Sequence, residues 1–236
     1  MKILPNMNIL DLALYFDYTV VIADAHIGYE EALNKQGVLV PRFQFEDIVK
    51  RMERVFDYLK GKKIECIIVN GDLKHEFGTI SEQEWRNTLK FIDLLSKHCN
   101  EVILIKGNHD TILGPIARKR NVNVVDEIGI GKVLVCHGNK VPNIKNYDAI
   151  IIGHEHPAVS LKEGPRVEQY KCFLRGKYKG KKLIVQPSFN SLVEGTDLLR
   201  DKILSPFLHQ NLDNFDVYIV EDKVYHFGKL RNLRKG

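Results

Sequence analysis

The chain has 236 residues, 44% of them hydrophobic, with a formal net charge of +5. That length and apolar content fit one α/β domain over residues 1–236 and exclude disorder. No run approaches the roughly 20 apolar residues of a membrane span, so no membrane partner is expected. Met1-Lys2-Ile3-Leu4-Pro5-Asn6 lacks the apolar core of a signal peptide, which points to a cytoplasmic protein. The mild positive charge permits a nucleic-acid partner without requiring one. Cys66, Cys99, Cys136 and Cys172 are widely spaced and form no CxxC pair. They read as structural thiols rather than as a zinc knuckle or a disulfide framework.

In chain order, Leu10 to Phe16 and Tyr18 to Ala23 are two β-like runs around Asp17 and suggest an opening hairpin. Tyr29 to Lys35 is a short helix that Gly37 ends. Val38-Leu39-Val40-Pro41 reads as extended, since proline disfavours helix in its predecessor. Phe45, Ile48, Val49, Met52, Val55, Phe56 and Leu59 recur at steps of three and four, which predicts an amphipathic helix over 45–59. Glu65 to Asn70 is a strand. Ser81 with Glu84 three residues on forms a capping box for a helix running to about His98. Val102 to Ile105 is the next strand. The alternation of strand and helix argues for parallel pairing. Pro115 to Arg120 makes a helical turn or two. Strands then dominate: 122–125, 132–136, 149–152, 158–161, 170–174, 182–185, 217–220 and 224–227. A helix-rich first half and a strand-rich second half predict two sheets packed face to face, with helices outside. No internal repeat, low-complexity segment or linker divides the chain.

Five apolar runs end in the same kind of residue. Val20-Val21-Ile22-Ala23 precedes Asp24-Ala25-His26, and Ile67-Ile68-Val69-Asn70 precedes Gly71-Asp72. Val102-Ile103-Leu104-Ile105 leads to Gly107-Asn108-His109-Asp110. Val133-Leu134-Val135-Cys136 precedes His137, and Ile150-Ile151-Ile152 precedes Gly153-His154-Glu155-His156. In an open α/β sheet the carboxyl ends of the strands are where ligands bind. Carboxylate, imidazole and amide oxygen suit hard or borderline divalent metals. Asp24, His26, Asp72, Asn108, His137, His154 and His156 are too many ligands for one ion and suit two, held about 3.5–4 Å apart. Asp72, in the middle of the set, is the natural bridging carboxylate. A bridging water or hydroxide would be acidified and could attack phosphorus in line. His109 is left as a candidate general acid, with Asp110 as the group that would hold its tautomer.

The ordered set DxH, GD, GNHD, H, GHxH resembles the calcineurin-like metallophosphoesterases across residues 24–156. "GHEHP" at 153–157, "HGNKVP" at 137–142 and "FNSLVEGTD" at 189–197 resemble more closely a branch of phosphoesterases related to SbcD. That branch includes archaeal proteins and bacterial ligase-associated DNA-repair endonucleases. The resemblance implies an α/β fold with a double β-sheet sandwich flanked by helices, the four-layer metallophosphoesterase type. It implies one ion on Asp24, His26, Asp72 and His156 and a second on Asp72, Asn108, His137 and His154. The cofactors it implies are two divalent metal ions, most often manganese, with iron, zinc, nickel or cobalt in some members. The chain departs from the branch at Ala25, where leucine is commoner. It also ends soon after the core, without the DNA-capping domain of full SbcD-type nucleases, which argues against SbcD-like processing of DNA ends.

Isolated histidines are usually structural, and His98, His209 and His226 are read so. His75 is a candidate substrate contact, and Arg42 a candidate phosphate contact beside the ordinary reading of a surface arginine. Tyr170 to Lys182 interleaves Lys177, Lys179 and Lys181 with aromatic residues, which suits single-stranded nucleic acid as well as a solvated hairpin. The tail Lys229, Arg231, Arg234, Lys235 reads as frayed. The expected activity is a metal-dependent phosphodiesterase or nuclease, with DNA or RNA as candidate partners and a homodimer as a candidate assembly. The rival within enzymes is a hydrolase of small nucleotides or phosphomonoesters. A non-catalytic scaffold is the rival outside them.

Overall fold

The computed structural model describes residues 1–75, 81–110 and 113–234, apart from the side chain of Glu163. Lys235, the last basic residue of the tail, lies outside them. The chain opens with four antiparallel strands: β1 (Lys2–Leu4), β2 (Met7–Leu10), β3 (Ala13–Phe16) and β4 (Thr19–Ala23). The run expected as one strand over 10–16 is broken because Asp11 turns left-handed, φ 54. β3 and β4 form the expected hairpin through Asp17-Tyr18, at φ 43 and 56. That double positive-φ turn matches the right-handed twist of its strands.

There follow α1 (Tyr29–Lys35), α2 (Gln44–Tyr58), β5 (Cys66–Asn70), α3 (Glu82–Ser96), β6 (Glu101–Ile105), α4 (Gly114–Arg120) and β7 (Asn123–Val125). β4, β5, β6 and β7 pair in parallel, with Val20 beside Ile67 and Ile67 beside Val102. The Ser81 hydroxyl caps α3 by accepting from the Glu84 N–H at 3.1 Å. The Glu84 carboxylate does other work as well, accepting from the N–H of His75 at 2.9 Å.

The second half supplies β8 (Glu127–Ile130), β9 (Val133–Cys136), β10 (Ala149–Ile152), β11 (Pro157–Glu163), β12 (Arg166–Tyr178), β13 (Lys181–Val185), β14 (Thr196–Asp197), β15 (Asp216–Val220) and β16 (Val224–Lys229), then α5 (Leu230–Leu233). Among the described residues the first sheet has the order β1 to β7. The second runs β14-β11-β12-β13-β10-β9-β8, with β15 on β12 and β16 on β15. β8 is a strand the periodicity missed, being short and interrupted by Gly129. β12 outruns the predicted 170–174 because it pairs with β11 over Arg166–Lys171 and with β13 over Leu174–Tyr178.

The two sheets pack face to face. Val21, Ile68 and Leu104 of the first share a core with Val135, Ile151, Phe173 and Ile184 of the second. The first sheet's core also takes in Ile48, Met52 and Val55 of α2 and Leu89, Ile92 and Leu95 of α3. The neighbours of Ile151 in β10, Ile150 and Ile152, point the other way, as the period of a strand requires. They pack with Phe207, Leu212 and Leu230 of the C-terminal segment. The expected double-sheet α/β sandwich is the fold. Among the described residues, no helix is long and apolar enough to cross a membrane.

Candidate metal centre

β4, β5 and β6 of one sheet and β9, β10 and β13 of the other are parallel within their sheets, and their C-terminal ends meet. The His154 N–H donates to Asp24 Oδ2 at 2.9 Å, and the Phe189 N–H to the Ala23 carbonyl at 2.8 Å, both across the gap between the sheets. Several of the motif residues leave their strands in the left-handed region: Asp24 at φ 53, His26 at 43, Asp72 at 36, His154 at 64 and His156 at 49. Such a conformation costs a non-glycine residue of order 1–3 kcal/mol and persists where the surroundings over-determine it, commonly at a functional site.

The turns aim seven side chains at one point. Asp24, His26 and His156 form one cluster and Asp72, His137 and His154 another, with the potential ligand atoms of each within 4.8 Å of one another. Asn108 joins the second, its Oδ1 2.9 Å from His137 Nε2. Asp72 lies between them. Its Oδ2 is 4.0 Å from His26 Nε2 and 3.5 Å from His137 Nε2. Close approach of backbone makes this possible. A Cβ on Gly107 would stand 2.0 Å from Asp72 Oδ1, and one on Gly153 2.4 Å from Asp24 Oδ2.

These residues fit divalent cations. Ring nitrogens crowd together in pairs, His26 Nε2 to His156 Nε2 at 3.3 Å and His154 Nδ1 to His137 Nε2 at 3.1 Å. Asp24 Oδ1 and His26 Nδ1 are buried and have no hydrogen-bond partner among the described residues. Burial, and next the charge of Asp24, push the Asp72 carboxyl up to about 8. Burial works to raise Asp24 too, but the imidazoles of His156, His137 and His26 outweigh it and hold its carboxyl well below the usual range. Burial lowers His26 and His137 and takes His154 down to about 4, which favours the neutral, ligating form of each ring. Imidazoles gathered around two crowded carboxyl groups are a donor set that suits a pair of divalent cations.

His109 sits against this centre, its ring centroid 5.2 Å from that of His26. His109 and His75 also form a third grouping with His26. The His109 N–H donates to Asp72 Oδ1 at 2.8 Å, and its ring Nδ1 lies 2.7 Å from the His75 carbonyl. A carbonyl only accepts, so Nδ1 carries a proton. This corrects the role expected of Asp110. The carboxylate of Asp110 accepts instead from the N–H groups of Gly107, Leu73 and Lys74, at 3.1, 3.3 and 3.4 Å, and staples one motif turn to the other. Burial raises this carboxyl to about 6 despite those donors.

His75 comes to the centre through the backbone, and its ring packs on those of Tyr29 and His109. Arg42 is exposed in the loop before α2, two residues ahead of Gln44, whose side-chain amide donates to the His26 carbonyl at 2.8 Å. Lys177, Lys179 and Lys181 are not brought to the centre. β13 runs parallel to β10, with Lys182 beside Ala149 and Val185 beside Ile152. The β12–β13 turn is therefore at the opposite end of the sheet, about 13 Å or more from the ligand end at strand rise. A basic, aromatic-rich stretch reveals composition but not which end of a strand carries it.

Sequence reasoning missed the support on the second sheet. After β13, the Gln186 amide donates to the Val21 carbonyl at 3.1 Å, the Ser188 hydroxyl to the Asp24 carbonyl at 2.7 Å and the Asn190 amide to the His26 carbonyl at 3.4 Å. The rule that found the other motifs, polar residues just after an apolar strand, would have found these after Leu183-Ile184-Val185. A cleft of about 740 Å³ opens beside the centre, with Asn108 and His137 on its wall and Lys106, Asn139 and Lys140 among its lining.

The family match agrees with this geometry. Residues 18–148 match the calcineurin-like phosphoesterase family. The nuclease MPE of Pseudomonas putida has a similar structure, with a TM-score of 0.66 and 20% identity over 93% of each chain. The phosphoesterase YfcE of E. coli matches over 90% of this chain and 97% of its own, with 11% identity and a TM-score of 0.40. No curated protein matches the sequence. With more than half of its length matched by the family, and with that family's ordered Asp, Asn and His residues gathered at the strand ends, this chain belongs to the calcineurin-like phosphoesterases.

Proposed function

We propose that this phosphoesterase is a phosphodiesterase whose substrate is a nucleic-acid strand, DNA or RNA, and that it works with two divalent ions, manganese foremost. Asp24, His26, Asp72 and His156 would hold one ion, and Asp72, Asn108, His137 and His154 the other, with Asp72 shared. Ions bound there supply Lewis acidity, which acidifies water and offsets charge on the phosphate oxygens. The chain's own contribution is orientation and a proton. His154 and His109 fix the two carboxylates through their backbone N–H groups. With Nδ1–H committed to the His75 carbonyl, His109 would act as the acid in its doubly protonated form, giving up the second proton from Nε2 and returning to the Nδ1–H tautomer.

The observation that carries the diester reading is this histidine, held beside both clusters. An alkoxide leaving group, as in a nucleic-acid backbone, benefits from a proton donor. The cleft with Lys106 and Lys140 gives a strand a path beside the centre. The MPE likeness, to a protein described as a nuclease, fits the same reading. A panel of metal ions against a chromogenic diester, single- and double-stranded DNA, RNA, cyclic nucleotides and phosphomonoesters tests it. Turnover of oligonucleotides with manganese is expected. Turnover of phosphomonoesters or mononucleotides alone would favour the small-nucleotide hydrolase.

A further inference from the structure

Lys74 has no place among the motif residues, yet it is completely buried beside the centre. A lysine is almost never fully buried unless its ammonium is paired. Its Nζ donates to the carbonyl of His109 at 2.7 Å, and its backbone N–H to Asp110 Oδ1 at 3.4 Å. The next residue, His75, accepts from the His109 ring at 2.7 Å. The dipeptide Lys74-His75 thus grips His109 twice, once at its peptide and once at its ring. With the His109 N–H on Asp72 Oδ1, the residue is held at its N–H, its carbonyl and its ring.

We propose that Lys74 is the positioning residue of His109, fixing the peptide so that the ring meets both the His75 carbonyl and the centre. The inference rests on the role given to His109 above. An ammonium makes a stronger, shorter hydrogen bond to a carbonyl than a neutral donor does. The length of the side chain lets the ammonium reach that carbonyl from a neighbouring turn. The alternative is that Lys74 only balances the charge of Asp72 and Asp110.

A double-mutant cycle separates the two. Lys74→Met keeps the length and removes the donor. Loss of an outer partner typically costs about 10–100-fold in activity. We expect kcat to fall by that factor on an alkyl or nucleic-acid diester, with KM little changed. In a His109→Ala background the same substitution should cost almost nothing, because the two act as a unit. Multiplying losses would overturn the proposal in favour of charge balance. Ring ¹⁵N shifts of His109 in the zinc-loaded protein give a readout without turnover. The Nδ1–H tautomer is expected in the unaltered protein and a mixture in Lys74→Met, and an unchanged ring would also overturn the proposal. If Lys74→Met does not fold, Lys74→Gln enters the same cycle. If the unaltered protein cleaves no diester, the proposed activity fails, while the ring spectra still decide the role of Lys74.

Discussion

The peptide N–H of His154 donates to Oδ2 of Asp24 across 2.9 Å, although the two residues are 130 apart in the chain. One follows a strand of the second sheet and the other a strand of the first. The bond belongs to both sheets at once, so the carboxylate is aimed only after they have packed. The His109 N–H on Asp72 Oδ1 repeats the arrangement within the first sheet. Backbone donors that orient a charged ligand are fixed by the fold and cost no further reorganisation when an ion or a substrate arrives.

Asp72 faces a histidine of each cluster through a single oxygen, Oδ2. Elemental analysis after metal loading is expected to give two ions per chain, and Asp72→Ala is expected to lose both. Retention of two ions by that variant would end the bridging assignment.

His109→Ala should keep both ions and the fold, because His109 is anchored by its own peptide and by the His75 carbonyl outside the two ligand clusters. Loss of a general acid typically costs about 10²–10⁴-fold in rate. A nitrophenolate leaves well without a proton, so its diester should suffer less than an alkyl diester or DNA. Equal losses would argue that His109 stabilises charge on the phosphorus centre instead.

The basic β12–β13 turn stands at the far end of its sheet from the centre. Replacing Lys177, Lys179 and Lys181 together by alanine is therefore expected to leave kcat/KM unchanged for a chromogenic diester and for an oligonucleotide of about six nucleotides. The slope of binding against salt, which counts released counterions, should also hold for that short strand. A flattened slope would bring the turn back into contact with substrate.

Asp216 joins β15 to its neighbours, accepting from Arg175 Nη2 at 2.6 Å and from Lys229 Nζ at 2.9 Å. Burial alone would raise its pKa, but the bonds from Lys229 and Arg175 outweigh burial and lower it. A carboxylate held below its unfolded value of about 3.9 stabilises the fold above that pH. The stabilisation disappears as pH falls through the folded value. Asp216→Asn should cost about 1–2 kcal/mol at pH 7, since its partners are partly exposed. The deficit in urea midpoint should close in strong acid. An equal deficit at both ends of the range would mean that shape rather than charge is at work.

Three buried thiols should be inert in the native state. Burial pushes Cys66 and Cys136 up to about 12 and raises Cys172 as well. The thiolate is the reactive form, so alkylation at pH 8 should be negligible until the protein unfolds. Mass spectrometry that finds native labelling at Cys172 would contradict its burial.

The sequence by itself determined the strands that matter and the residues they deliver. Apolar runs of three or four residues with β-branched composition are local signals, and Asp24, Asp72, Asn108, His137 and His154 follow them by chain order alone. The helical periods of α2 and α3 are local in the same sense. Only the tertiary structure decided which groups meet. The Gln186–Asn190 support, the grip of Lys74 on His109 and the staple of Asp110 across two turns are contacts between distant segments, invisible to periodicity. The direction of a strand in its sheet is non-local as well. That is why Lys177, Lys179 and Lys181, plausible by composition, stand at the wrong end, while His75, a candidate by its place after Asp72, meets His109 through its carbonyl oxygen and joins His26 and His109 in one grouping.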